Sequence, residues 1–230
     1  PFRHVGGHNP GQWLGLIDAV YGIAMTLMAF GLPKTLNTIA AQYIHRPNNF
    51  VNQIIDLTLS TADYFLIFLV LYEVWCFHRT ILMASSNPPH RMHGQITAMI
   101  LAIVSITPAF TDFLLNGQIH TILSLENPGL AFFHIRPTAF ILLFLAAITY
   151  GLLTIFSGIN SSNGNRSALK LCRRSTGYRC LIFTILFIVS LAAYNYTQTW
   201  LRPNALILVY LIFSYHQDHV LQLINRQRRP

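Results

Sequence analysis

Residues 13–32 read WLGLIDAVYGIAMTLMAFGL, a twenty-residue apolar run in which Asp18 is the single formal charge, with Pro33 directly after it. At about 1.5 Å per residue, a helix of that length crosses about 30 Å, the thickness of a hydrocarbon core. The run predicts a membrane span. An unpaired carboxylate inside such a span costs about 3 kcal/mol or more, so Asp18 is expected to find a partner on a neighbouring helix.

The rest of the chain is of the same kind. Of its 230 residues 53% are hydrophobic and only 10% charged, with a mean hydropathy of +0.46, the composition of an integral membrane protein. The first run extends well beyond a signal-peptide core and carries no small-residue cleavage site, so it is expected to stay in the mature protein. A formal charge of +8 is read as topology and lipid headgroups, with no nucleic-acid partner, because the chain is so apolar. Cys76, Cys172 and Cys180 have no metal-ligand spacing, and their odd number leaves at least one unpaired within the chain.

Further apolar helices are predicted at about 57–78, 96–115, 138–156, 180–200 and 204–224, separated by loops rich in Pro, Asn, Gly and Ser. The expectation is an all-α polytopic membrane protein, one domain over 1–230 with six transmembrane helices. No run alternates over ten residues, which argues against a closed barrel. The N-terminus, the second-to-third loop, the fourth-to-fifth loop and the C-terminus hold eleven of the fifteen Lys and Arg residues, which places both termini in the cytoplasm. The stretch GINSSNGNRSALKLCRRSTGYR, residues 158–179, reads as a polar connection. No internal repeat is apparent, which weakens a carrier built from two related halves.

The acids within the spans are Asp18 on the first helix, Asp63 and Glu73 on the second and Asp112 on the third, so function is expected in the N-terminal half. The fourth and fifth helices, with no acid or base in their cores, read as scaffold. Trp75 and His78 stand three residues apart, on one face of the second helix, with Arg79 at its cytoplasmic edge. All three can donate to Asp18. Two roles stay open for them: a lock between two helices, or a gating or proton-sensing role for His78, whose imidazole titrates near neutral pH.

The ten histidines do not supply a haem. His78 and His93 fall on the cytoplasmic side and His120 and His134 on the other, with no facing pair at both depths. No Gly-rich phosphate loop, nucleophile elbow or His-Glu-x-x-His motif occurs, so neither enzyme chemistry nor a cofactor is expected. On the first helix, at about 100° per residue, Ile23, Thr26, Leu27 and Phe30 fall in one narrow sector. Gly22, Ala24 and Ala29 lie among them, and small residues let helices approach closely in lipid. The stripe is either ordinary packing or, around a shared axis, a set of apolar rings that gate by dewetting.

The string DAVYGIAMTLMAFGLP, with the preceding Leu16 and Ile17, resembles the signature and first helix of the transmembrane protein 175 family, potassium channels of endolysosomes and prokaryotes. Trp75-x-x-His78-Arg79 resembles the family's run at the end of the second helix, and VSITPAF with Pro108 its third helix. The resemblance covers roughly residues 12–115 and implies a prokaryotic, six-span subunit of the cell (inner) membrane that forms a homotetramer. It also implies that the first helices line the pore. Ile23 would form the hydrophobic constriction, Thr26 a polar ring, and Leu27 and Phe30 the continuation of a potassium path. Ile23 and Thr26 would meet the ion transiently, and Asp18, Trp75, His78 and Arg79 would form the supporting network. Three departures stand out: Gln12 where the family has Arg, and Leu16 and Ile17 where it has Phe and Ser. The alternative is a proton-coupled carrier using Asp18, Asp63 and His78. A structural or assembly protein of the membrane is the third reading.

Overall fold

Long apolar sequences in a bilayer must satisfy their backbone groups internally, and helices do so within one segment. The computed structural model describes residues 10–44, 50–85, 91–123, 137–160 and 165–197. These form α1 (Pro10–Ile44), α2 (Phe50–Ala84), α3 (Arg91–Leu123), α4 (Pro137–Asn160) and α5 (Arg166–Thr197). Each contains a segment long and apolar enough to cross a membrane: Leu14–Lys34, Thr61–Ala84, Met92–Asp112, Phe140–Asn160 and Arg166–Ala192. The expected sixth span, 204–224, lies outside the described residues.

The helices outrun the predicted spans. Helix α1 does not stop before Pro33 but carries it inside and continues to Ile44. Helix α3 likewise passes through Pro108. A proline removes one i to i−4 bond, which membrane helices tolerate where neighbouring groups compensate. The larger correction concerns residues 158–179. Helix α4 runs to Asn160 and α5 starts at Arg166, so most of the expected connection is helical. Arg, Lys, Leu and Ala are all good helix formers, and Asn165 caps the start: its Oδ1 lies 3.4 Å from the Ala168 amide and its carbonyl accepts from Leu169.

Helix α1 packs against α2 and α3, and α4 lies along α5 as the closest pair in the bundle. Helix α2 is the shared strut, touching α1, α3, α4 and α5. At one end of the molecule the Asn165 amide donates to the Ala84 carbonyl, and Ser85 Oγ donates to Asn160 Oδ1 at 3.0 Å. The ends of α2 and α4 and the start of α5 therefore share a level. Intrahelical hydroxyls are handled locally. Thr26, Thr107, Thr111, Thr149, Thr154, Thr176 and Thr184 each donate to the carbonyl four residues back, so these seven hydroxyl protons are satisfied within their own helices.

Candidate functional site

Helix α1 has two unlike faces. Ile17, Tyr21, Ala24 and Met28, spaced four, three and four apart, are buried against the bundle, the period of a helix stripe facing a core. The opposite face points away from it: Ile23 is 62% exposed, Leu27 53% and Phe30 73%, and Thr26 is exposed beside them. The sector predicted from the sequence thus exists as one continuous face that the described residues leave uncovered. Thr26 Oγ1 donates to the Gly22 carbonyl at 2.7 Å, so its hydroxyl proton is committed and its lone pairs face outward as acceptors. A Cβ built on Gly15 or Gly22 would meet nothing within 4 Å, which leaves room for another helix to approach there.

Asp18 lies a turn and a half from Ile23 and is held from α2. Trp75 Nε1 donates to Asp18 Oδ1 at 2.8 Å, Arg79 Nη1 stands 4.0 Å from Asp18 Oδ2, and the Arg79 guanidinium lies 5.4 Å from the Trp75 ring centroid. The two charged side chains keep 39% and 41% exposure, so their ion pair is worth no more than about 1 kcal/mol. Two of the three anticipated donors are therefore in place.

The third, His78, is not. It is fully buried, its Nδ1 stands 3.4 Å from the Tyr21 hydroxyl, and its ring meets Phe156 edge-on at 5.9 Å. Residues three apart on a helix still diverge by about 60°. Here that angle sends Trp75 to the rim and His78 into the core. His93 meets the same Phe156 edge-on at 5.4 Å, so two histidines converge on one aromatic ring. Among the described residues no group of three or more His, Cys, Asp or Glu side chains is placed to hold a metal.

Asp63 belongs to another place. It is buried on the wall of a cavity of about 60 Å³ between α2, α3, α4 and α5, with Ile67, Thr107, Leu142, Thr149 and Phe183. Fifteen residues of α2 separate it from His78, about 22 Å along the axis. The groups assigned to a carrier mechanism are not brought together.

The family model described as endosomal/lysosomal potassium channel TMEM175 matches residues 14–108. The matched segment takes in the membrane-crossing parts of α1 and α2 and α3 up to Pro108, and so contains both the exposed stripe and the Asp18 network. TMEM175 is a potassium channel family, which gives the carrier alternative no support. Neither a curated protein nor a solved structure matches the chain.

The group that sequence reasoning missed links the segment matched by that family model to the rest. Arg179 of α5 is fully buried, with Nε donating to Glu73 Oε1 at 2.7 Å and Nη2 paired with the same oxygen. Its Nη1 donates to Ser175 Oγ, and its guanidinium lies 4.8 Å from the Phe77 ring centroid. The Tyr150 hydroxyl of α4 donates to Glu73 Oε2 at 2.6 Å. One carboxylate thus ties α2 to both α4 and α5. The expectation that the fifth helix has no base in its core is corrected: Arg179, assigned to a loop, sits inside α5 and is paired. The available signal was Glu73, an acid in a span, which needs a cation from a neighbouring helix.

Proposed function

We propose that the chain is a subunit of a homotetrameric, potassium-permeable channel in which four α1 helices surround a central axis and conduction is passive. Ile23 forms the hydrophobic collar, Thr26 a ring of acceptor oxygens one turn further, and Leu27 and Phe30 continue the wall. Asp18, bonded to Trp75 and paired with Arg79, sets the rotation of α1 about its own axis, with His78 and Tyr21 fixing its inner face. The observation that carries this reading is that Ile23, Thr26, Leu27 and Phe30 of α1 are left uncovered by the described residues while its other face is buried. A hydroxyl and several small residues in that face suit a shared axis better than lipid tails. No carboxylate lies on the stripe, so discrimination between ions comes from dehydration at the apolar and Thr26 layers. Both termini are cytoplasmic in this arrangement, and the membrane is the cell membrane of a prokaryote.

The test is potassium flux into liposomes containing purified Ile23→Asn protein, alongside the native mass of the assembly. The substitution is expected to raise flux several-fold, because a polar collar stays wet, and the mass should equal four chains. Unchanged flux removes Ile23 from the gate, and a monomer removes the shared axis.

A further inference from the structure

Helix α5 is 32 residues long, about 48 Å at 1.5 Å per residue, whereas a hydrocarbon core is about 30 Å thick. Its first turns therefore lie outside the core, at the level where α2 and α4 end. On these turns Leu169, Cys172, Ser175 and Thr176 are buried, while Arg166, Lys170, Arg173 and Arg174 are exposed. The Arg173 guanidinium rests on α4, with Cζ 3.7 Å from the Cβ position of Gly158.

Among the described residues no carboxylate is left to neutralise these four cations. The chain contains no Asp or Glu between Glu126 and Asp218, so neither α4 nor α5 holds one. The two carboxylates of α2 and α1 nearest this end are committed, Glu73 to Arg179 and Asp18 to Arg79 and Trp75. Further along α5 the same side of the helix turns apolar. At about 100° per residue, Lys170, Arg174, Leu181, Ile185 and Ile188 fall within a sector of roughly 60°. Leu181 is 56% exposed, Ile185 49% and Ile188 56%. From Arg174 to Ile188 the stripe runs about 21 Å along the axis, comparable with one leaflet. Uncompensated cations above a greasy strip of leaflet length match a single kind of molecule, one with an anionic head and acyl chains.

We infer that the outer side of α5 is a binding site for anionic phospholipid, with the phosphate held by Arg166, Lys170, Arg173 and Arg174 and the acyl chains lying along Leu181, Ile185 and Ile188. The acyl strip distinguishes this ligand from free phosphate, which needs only the cations. The inference rests on the chain's being a membrane protein and not on conduction through α1, so it stands or falls without any flux measurement.

The experiment is native mass spectrometry of the full chain in detergent, titrated with phosphatidylglycerol and, separately, with phosphatidylcholine of the same acyl chains. Phosphatidylglycerol is expected to remain bound in preference, and each cation changed to Gln should weaken it about fivefold. Lys170→Gln with Arg174→Gln would then lose about 25-fold, whereas Lys34→Gln, in the last turn of the α1 span, should lose nothing. Equal retention of the two lipids, or undiminished phosphatidylglycerol binding in the double variant, overturns the proposal. So does full displacement by millimolar inorganic phosphate, which would make the site one for soluble anions. Retained circular dichroism shows that the variants are folded, and their exposed positions make that outcome expected.

Discussion

Asp18 and Glu73 are both membrane carboxylates facing a guanidinium, yet they sit in different surroundings. Asp18 and Arg79 are 4.0 Å apart and each about two-fifths exposed, with a tryptophan N–H supplying the shorter contact. Arg179 is wholly buried, and Glu73 accepts from it and from Tyr150. The first pair is weak and screened. In the second, Arg179 without Glu73 would be an uncompensated charge in a dry core, a cost of about 3–5 kcal/mol, while Glu73 itself keeps 23% exposure. The part of the molecule with the channel-family match is thus held by a loose network at its rim. The α4–α5 hairpin is clamped to α2 by a strong one.

Three single substitutions, one of them with a compensating second change, sharpen or break that comparison. The largest effect is expected from Arg179→Met, which takes the guanidinium from a carboxylate that is only 23% exposed and should lower the stability of the detergent-solubilised protein by about 3 kcal/mol, the lower end of the cost of breaking a buried pair. It would be read as a fall in unfolding temperature and loss of a monodisperse peak. Adding Glu73→Leu should restore most of that loss, since an apolar pair can replace a buried ion pair at little net cost. If the single variant is as stable as the parent, the clamp does not exist. Trp75→Phe comes next: it removes the N–H to Asp18 while keeping an aromatic ring under Arg79, and about 1–2 kcal/mol should be lost. If α1 is oriented as proposed, potassium flux should change along with stability, and a change in stability alone would reduce the contact to a brace. Arg79→Gln is the smallest. It should cost at most about 1 kcal/mol at low salt and almost nothing at 1 M, because the pair it removes is exposed. A loss as large as that of Arg179→Met would show that the rim network is no weaker than the clamp.

Where the residues of this chain reveal their placement, they do so through period and cost. The exposed stripe of α1 was legible because Ile23, Thr26, Leu27 and Phe30 recur at helical spacing. Asp18 was legible because an acid in a span must be paired, and Trp75 and Arg79 are donors at the matching depth of the next helix. His78 was misplaced because a spacing of three leaves about 60° of rotation, and only the positions of Tyr21 and Phe156 determine to which side of that angle the ring turns. Arg179 was missed because a polar run resembles a loop whenever hydropathy alone is read. Leu169, Cys172 and Thr176 recur at helical spacing within that run, but among so many charges their signal is faint.

The sequence by itself determined that this is a helical membrane protein, that its first span carries a stripe of apolar residues and an acid needing a partner, and that its likeness is to a potassium channel family. The first two are set by composition, length and periodicity, and the likeness by the motifs DAVYGIAMTLMAFGLP and Trp75-x-x-His78-Arg79, none of which needs knowledge of neighbours. Only the tertiary structure decided that the stripe is left uncovered by the described residues, that Glu73 is answered by Arg179 across 106 residues, and that the exposed cations of the first turns of α5 sit beyond an exposed apolar strip of the same helix. Each of these depends on which helices pack together and at what height. In a bilayer that choice is made by contacts between side chains far apart in the chain, so no local pattern encodes it.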